Sequence, residues 1–225
     1  MDKNNFKFFG SAQDHKKVKE NDKGPNTGGM GAYSPAPIIN LKMEKKIIKK
    51  IVKPTLKALK DKKNYFSGFL YVGLMIENNE PYLIEYNVRM GDPECQTLLP
   101  RLNCDLLDIL ISCVKGELNK IDIKWENKQS LCVVLCSKGY PDDYPKNIKI
   151  DNLDKLKLDK DNYLFHAGTK IKDKEIYSDG GRVLNFISLS NELINARESV
   201  HKNLSILEWN KGFYRKDIAF RVIDK

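Results

Sequence analysis

The pattern of apolar and polar positions divides the chain into a helical stretch, a hairpin and a strand-rich second half. Met43, Ile47, Ile48, Ile51, Val52 and Leu59 recur three and four apart, which predicts an amphipathic helix with lysines on its opposite face. Pro54 falls inside this pattern and should kink or divide the helix, because it lacks an N–H and crowds the preceding turn. Upstream, Phe6–Gly10 reads as a short strand, followed by a glycine-rich loop from about Asp22 to Pro37. Ser67–Glu77 is a continuous apolar run, the signature of a buried strand. Asn78-Asn79-Glu80 forms a turn and Tyr82–Arg89 returns as a second strand, so the two make a hairpin. Pro93–Leu102 and Asp105–Lys115 read as helices, with Pro93 in a first turn and Asp105 as a cap.

Past Gly116 the pattern changes. A polar stretch, Glu117–Lys128, leads to a buried strand at Ser130–Ser137 and a turn-rich loop at Gly139–Pro145. Strand-like pieces follow at Ile148–Ile150, Tyr163–Ile171 and Arg182–Leu189. A helix from Asn191 to Leu207 carries apolar spacing at Leu193, Ala196, Val200 and Leu204. The fold class expected is α+β, with a boundary near residue 120. Residues 1–120 would form an antiparallel sheet covered by helices, and 121–225 a small mixed α+β domain. No apolar run approaches the roughly 18 residues of a membrane span, and no signal-like stretch precedes Phe6. A soluble cytoplasmic chain is therefore expected.

The 225 residues carry a net charge of +9, which raises the question of a nucleic-acid partner. Between Lys42 and Lys63 stand ten lysines against Glu44 and Asp61, so nearly the whole excess sits on the predicted helix. Six of the 39 basic residues are arginine, the side chain favoured for bidentate phosphate and guanine recognition. A solvated helix face accounts for this charge better than nucleic acid does. The five cysteines are odd in number, lie among apolar neighbours and contain no C-x-x-C, which points to reduced core residues rather than disulfides or zinc.

The sharpest chemical signal is Leu83-Ile84-Glu85-Tyr86-Asn87-Val88-Arg89. Alternation along a strand puts Glu85, Asn87 and Arg89 on one face. A carboxylate and an amide oxygen two residues apart are hard donors suited to magnesium, and an arginine beside them could grip a phosphoryl oxygen. An ordinary solvated face of a hairpin has the same spacing. In Gly24-Pro25-Asn26-Thr27-Gly28-Gly29-Met30-Gly31, four glycines would let backbone N–H groups approach an anion. A flexible surface loop reads the same way. Just ahead, Gln13-Asp14-His15-Lys16 gathers four polar side chains.

These segments resemble the glycinamide ribonucleotide synthetases (phosphoribosylamine–glycine ligases) of the ATP-grasp superfamily. The likeness is carried by Ser11–Lys16, Gly24–Pro37, Gly68–Met75, Ile84–Glu94, Phe165–Thr169 and Gly180–Leu184, in order from about Phe6 to the C-terminus. It implies an ATP-dependent carbon–nitrogen ligase of purine biosynthesis that joins glycine to 5-phosphoribosylamine through glycyl phosphate. Carried over by position, Glu85 and Asn87 would be ligands of Mg2+ or Mn2+, and Arg89 would lie nearest the acyl phosphate. Asp14, Asn26, Thr27, Gly28, Gly29 and Asp92 would contact phosphoribosylamine or glycine. His15 reads as a hydrogen-bonding structural residue rather than a general base, Arg182 could reach toward the nucleotide side of the cleft, and neither Arg182 nor His166 is assigned a role.

Two departures accompany the resemblance. Many ATP-grasp enzymes place a second acidic ligand on the strand before Glu85, where this chain has Gly73. A three-residue turn would set Gly73 opposite Glu85, and a two-residue turn would set Val72 there. The likeness also begins near the middle of the family's pattern. The family's N-terminal Rossmann-like domain, its mobile lobe with a glycine-rich lid and its adenine-holding lysines fall outside it. The expectation is a chain inactive without that N-terminal half, with another ATP-grasp ligase fragment or a basic nucleic-acid module as alternatives.

Overall fold

The structure, a computed structural model, describes residues 1–223. Along the chain run β1 (Gln13–Asp14), β2 (Lys17–Lys19), β3 (Lys23–Asn26), β4 (Gly31–Ser34), α1 (Leu41–Ile47) and α2 (Lys53–Asp61). β5 (Tyr71–Glu77), β6 (Glu80–Asn87), α3 (Glu94–Leu98), α4 (Leu106–Lys115) and β7 (Gln129–Ser137) follow. The last elements are β8 (Asn162–His166), β9 (Thr169–Lys172), β10 (Glu175–Ser178), β11 (Arg182–Ser190), α5 (Leu193–Leu207), β12 (Gly212–Phe213) and α6 (Phe220–Ile223). Strand pairings between these elements are antiparallel, and the α+β class expected is the class observed. The chain forms two compact units: Met1–Ser11 with Ala36–Gly91 and Leu102–Glu126, and Ala12–Pro35 with Asp92–Arg101 and Asn127–Lys225.

The first unit is built on the β5–β6 hairpin and the long helix. Asn40 caps α1, its side chain accepting from the Met43 N–H at 3.0 Å. The regular α-helix is interrupted just ahead of Pro54, α1 ending at Ile47 and α2 beginning at Lys53. A wide π turn over Ile48–Val52 joins α1 to α2, and Lys53 N–H reaches back five residues to the Ile48 carbonyl. Widening the turn just ahead of the proline lets the helix pass a residue with no N–H. Lys46 and Lys50 both reach Glu80 at 2.6 Å, while Thr55 and Tyr86 share a short hydroxyl–hydroxyl hydrogen bond. Asp105 caps α4 by accepting from Leu107 N–H at 2.7 Å, and Gly116 ends it in the left-handed conformation.

Two expectations about this unit are corrected. Phe6–Gly10 is not a strand; Phe9 instead packs edge-on against Phe69 and Trp125, with ring centres 5.0 and 5.1 Å away. The apolar run 67–77 is not a buried strand. Its strand begins at Tyr71 and pairs with β6 alone in a two-stranded sheet, so apolar residues of the hairpin stay open. Ile84 is 65% exposed, Met75 57% and Tyr82 53%. On α4, Leu107, Leu110, Ile111 and Val114 make an exposed apolar stripe, while Ile109 and Cys113 face inward.

The second unit holds the main core. Its sheet runs β1-β4-β7-β11-β8, with β12 beside the end of β7. Leu131–Cys136 and Val183–Ile187 are almost wholly buried, and α5 covers them with Leu193, Ala196, Val200, Leu204 and Leu207. Each Val, Leu, Ile or Phe among them contributes about 1.5–3 kcal/mol on burial. The glycine-rich segment, expected as a loop to Pro37, contains β4, a fully buried strand paired with β7. A Cβ on Gly31 would lie 2.5 Å from the Cys132 carbonyl oxygen, so glycine allows this close approach. The expected strand at Ile148–Ile150 reduces to an isolated bridge between Lys149 and Tyr177, and Tyr163–Ile171 divides into β8 and β9. Arg215, fully buried, forks onto Asp217 at 2.8 Å and reaches Asp22 at 2.9 Å.

Candidate functional site

The candidate residues fall into both units: Glu85, Asn87 and Arg89 in the first, and Asp14, Asn26, Thr27, Gly28, Gly29 and Asp92 in the second.

In the hairpin, Asn78 and Asn79 both adopt positive φ, the two-residue turn whose twist suits antiparallel strands. A two-residue turn alone would pair Glu85 with Val72. A bulge shifts the register between Gly73 and Leu74, so Glu85 pairs with Gly73 instead. A Cβ on Gly73 would stand 3.0 Å from Glu85 Cγ, and the facing strand contributes no carboxylate there. Asn87 Nδ2 donates to Glu85 Oε1 at 3.1 Å, which places the two side chains together on one face. Turning the Asn87 amide over would bring Oδ1 to that position and give two converging oxygens. Among the described residues no group of three or more His, Cys, Asp or Glu could hold a metal. Two oxygens nevertheless suit Mg2+, which commonly takes one or two protein ligands and completes its shell with water and substrate phosphate. Arg89 lies past the end of β6, in a bend, so strand alternation does not orient it. Its exposed guanidinium donates to the Met90 carbonyl at 2.8 Å.

In the second unit, Asp14 is buried beside Lys16, whose Nζ lies 2.6 Å from Oδ2, while Oδ1 has no hydrogen-bond partner among the described residues. Burial, reinforced by the Glu94 carboxylate, pushes the Asp14 carboxyl up to about 7. Asp92 sits in a bidentate pair with Arg182, at 3.1 and 2.8 Å, and also accepts from Gln96 Nε2 at 2.9 Å. Gln96 Oε1 is buried without a partner among the described residues. The cluster is rich in acceptors and suits a ligand that brings donors, an amine or hydroxyls.

The glycine loop does not present its amides to an anion. Thr27 N–H donates to the Lys16 carbonyl at 2.7 Å, Gly28 N–H to Tyr140 Oη at 2.8 Å, Gly29 N–H to Thr27 Oγ1 at 3.0 Å and Met30 N–H to the His15 carbonyl at 2.9 Å. These glycines serve close packing instead. A Cβ on Gly29 would lie 2.4 Å from Pro93 Cδ and 2.9 Å from Asp14 Oδ1. Asn26 is exposed at the end of β3, paired with Lys17. His15 is buried in the core, its Nε2 accepting from Ala219 N–H at 3.3 Å. Burial, with Arg215 nearby, lowers its pKa to about 4. His166 faces Thr169 at 3.0 Å. Sequence reasoning gave no part to Tyr140, Glu94 or Gln96. Glu94 ends the segment Ile84–Glu94 that carries the family likeness, whereas nothing local marks Tyr140, which meets Gly28 across 112 residues.

Residues 1–95 match the phosphoribosylglycinamide synthetase, ATP-grasp (A) domain, and residues 130–221 match the phosphoribosylglycinamide synthetase, C domain. A phosphoribosylamine–glycine ligase of Brucella melitensis is 43% identical over 217 residues, covering 96% of this chain and 51% of the relative. That of Agrobacterium fabrum is 45% identical over 213 residues, covering 95% and 50%. The crystal structure of phosphoribosylamine–glycine ligase from Thermotoga maritima superposes with a TM-score of 0.79 at 32% identity, covering 92% of this chain and 50% of that one. The biotin carboxylase domain of a thermophilic 2-oxoglutarate carboxylase, at 18% identity and a TM-score of 0.59, covers 89% of this chain and 42% of its own and shares the fold alone. With its two stretches matched to two domains of one family, the chain belongs to the phosphoribosylglycinamide synthetase family and spans about half the length of the curated relatives it matches.

Proposed function

We propose that this chain supplies the metal hairpin, the substrate cluster and the C domain of an ATP-dependent phosphoribosylamine–glycine ligase of purine biosynthesis. The activity would need the N-terminal half that its relatives also contain. The family's division of the chain near residue 120 and a cytoplasmic location belong to the same reading. The glycine carboxylate attacks the γ-phosphorus of ATP, releasing ADP. The amine of phosphoribosylamine then attacks the acyl carbon of glycyl phosphate, and phosphate leaves. Glu85 and Asn87 would hold Mg2+ or Mn2+, which when bound neutralises phosphate charge. Arg89, with an exposed fork, suits the acyl-phosphate oxygens. Asp14, with a buried oxygen lacking a donor, suits the ribosyl amine or its hydroxyls, beside Asp92 and the Asn26, Thr27, Gly28 and Gly29 turn.

The observation that carries this reading is the Glu85–Asn87 pair meeting face to face on β6 in a chain of this family. Two measurements test it. Mn2+ binding to this chain, followed by electron paramagnetic resonance, should weaken in Glu85→Gln by about tenfold or more, and unchanged binding would remove the hairpin from the metal site. ADP formation should require glycine, phosphoribosylamine and the N-terminal half together. Equal ADP release with unrelated carboxylates would favour another ATP-grasp ligase.

A further inference from the structure

Gly28 is exposed, yet its peptide groups are fastened on both sides. Its N–H donates to Tyr140 Oη at 2.8 Å and its carbonyl accepts from Arg182 Nη1 at 3.0 Å. The same guanidinium takes both carboxylate oxygens of Asp92 at 3.1 and 2.8 Å and the Asp92 carbonyl at 3.0 Å. A Cβ on Gly28 would stand 2.9 Å from Arg182 Cζ, so the turn lies directly against the plane of the fork. One side chain at the start of β11 thus joins two segments that are 64 residues apart in sequence, Gly28 and Asp92. Asp92 neutralises the charge of Arg182, so the guanidinium is committed to holding the protein rather than free for an anionic ligand.

We infer that Arg182 is a positioning residue, which fixes the Gly28–Gly29 turn and the Asp92 carboxylate in the arrangement that substrate meets. The inference rests on the reading that this cluster binds phosphoribosylamine. Geometry explains the choice of arginine. Four acceptors lie around a planar fork, and a lysine ammonium presents one compact point that cannot span them.

Hydrogen–deuterium exchange on the full chain tests this without enzymatic activity. In Arg182→Gln the Gly28 and Gly29 amides should exchange about tenfold faster or more, the loss expected when hydrogen bonds to a charged group are removed. The β7 amides should keep their protection, which shows that the sheet is still folded. Asp92→Asn should loosen the same amides, the double variant should add little to either, and Arg182→Lys should fail to restore protection. Turn amides that keep wild-type rates in both single variants would overturn the inference. With the N-terminal half added, Arg182→Gln should raise KM for phosphoribosylamine far more than it lowers kcat. A loosened turn with unchanged KM would also overturn it. A wild-type mixture without glycine-dependent turnover would instead overturn the ligase reading, while the exchange result still decides whether Arg182 holds the turn.

Discussion

Asp14 and His15 are neighbours in sequence whose protons respond to folding in opposite directions. Burial and Glu94 raise the Asp14 carboxyl from 3.8 to about 7, so its stabilising contribution is complete at low pH and is lost as pH rises through about 7. Burial and Arg215 lower His15 from 6.5 to about 4, so its contribution is present above pH 6.5 and is lost as pH falls toward 4. Between these limits each slope amounts to about 1.4 kcal/mol per pH unit, with opposite sign. The wild-type urea midpoint should therefore vary little from this pair, while Asp14→Asn should show a midpoint that climbs from pH 4 to 6.5. Identical pH curves for the two proteins would contradict this. The companionship of Glu85 and Asn87 was legible from a period of two, because a strand repeats its face every second residue. That of Asp14 with Glu94, or Gly28 with Tyr140, was not, because each pairing depends on contacts between distant segments.

Elements with local signals were readable at their ends. Asp105 and Gly116 bracket α4 as cap chemistry requires, and the α5 spacing matches its buried face. Asp105→Ala should cost about 1 kcal/mol in urea unfolding through loss of the cap. Elements whose form depends on a distant partner were less readable. The strand β4 looked like loop because its glycines allow close approach to β7, which no local pattern encodes. The hairpin register was likewise hidden, since the bulge and not the turn length sets Gly73 against Glu85. Arg215 provides a stability test for the second unit. Asp217→Asn removes a carboxylate from both of its 2.8 Å contacts, leaves a buried guanidinium short of a counter-charge, and should cost about 3 kcal/mol or more in urea unfolding.

For the whole molecule, the exposed apolar side chains are concentrated in the first unit. Leu107, Leu110, Ile111 and Val114 repeat at helical spacing on α4, and Met75, Tyr82 and Ile84 stand open on the hairpin. Such a surface favours association. Sedimentation velocity across dilution should show self-association, and Leu107→Lys with Val114→Glu should weaken it without lowering the melting temperature. A wild-type chain monomeric at every concentration would contradict this.

The alternation of the chain between its two units bears on how it could be dissected. Scission after Glu126 would free a C-terminal peptide holding β7, β8, β11 and α5, but would leave β4 and α3 on the other piece. The edge of β7 that β4 occupies would then be bare, an invitation to strand exchange with other molecules. No single protease nick can therefore deliver both units whole, and gene fragments cut at one position inherit the same defect.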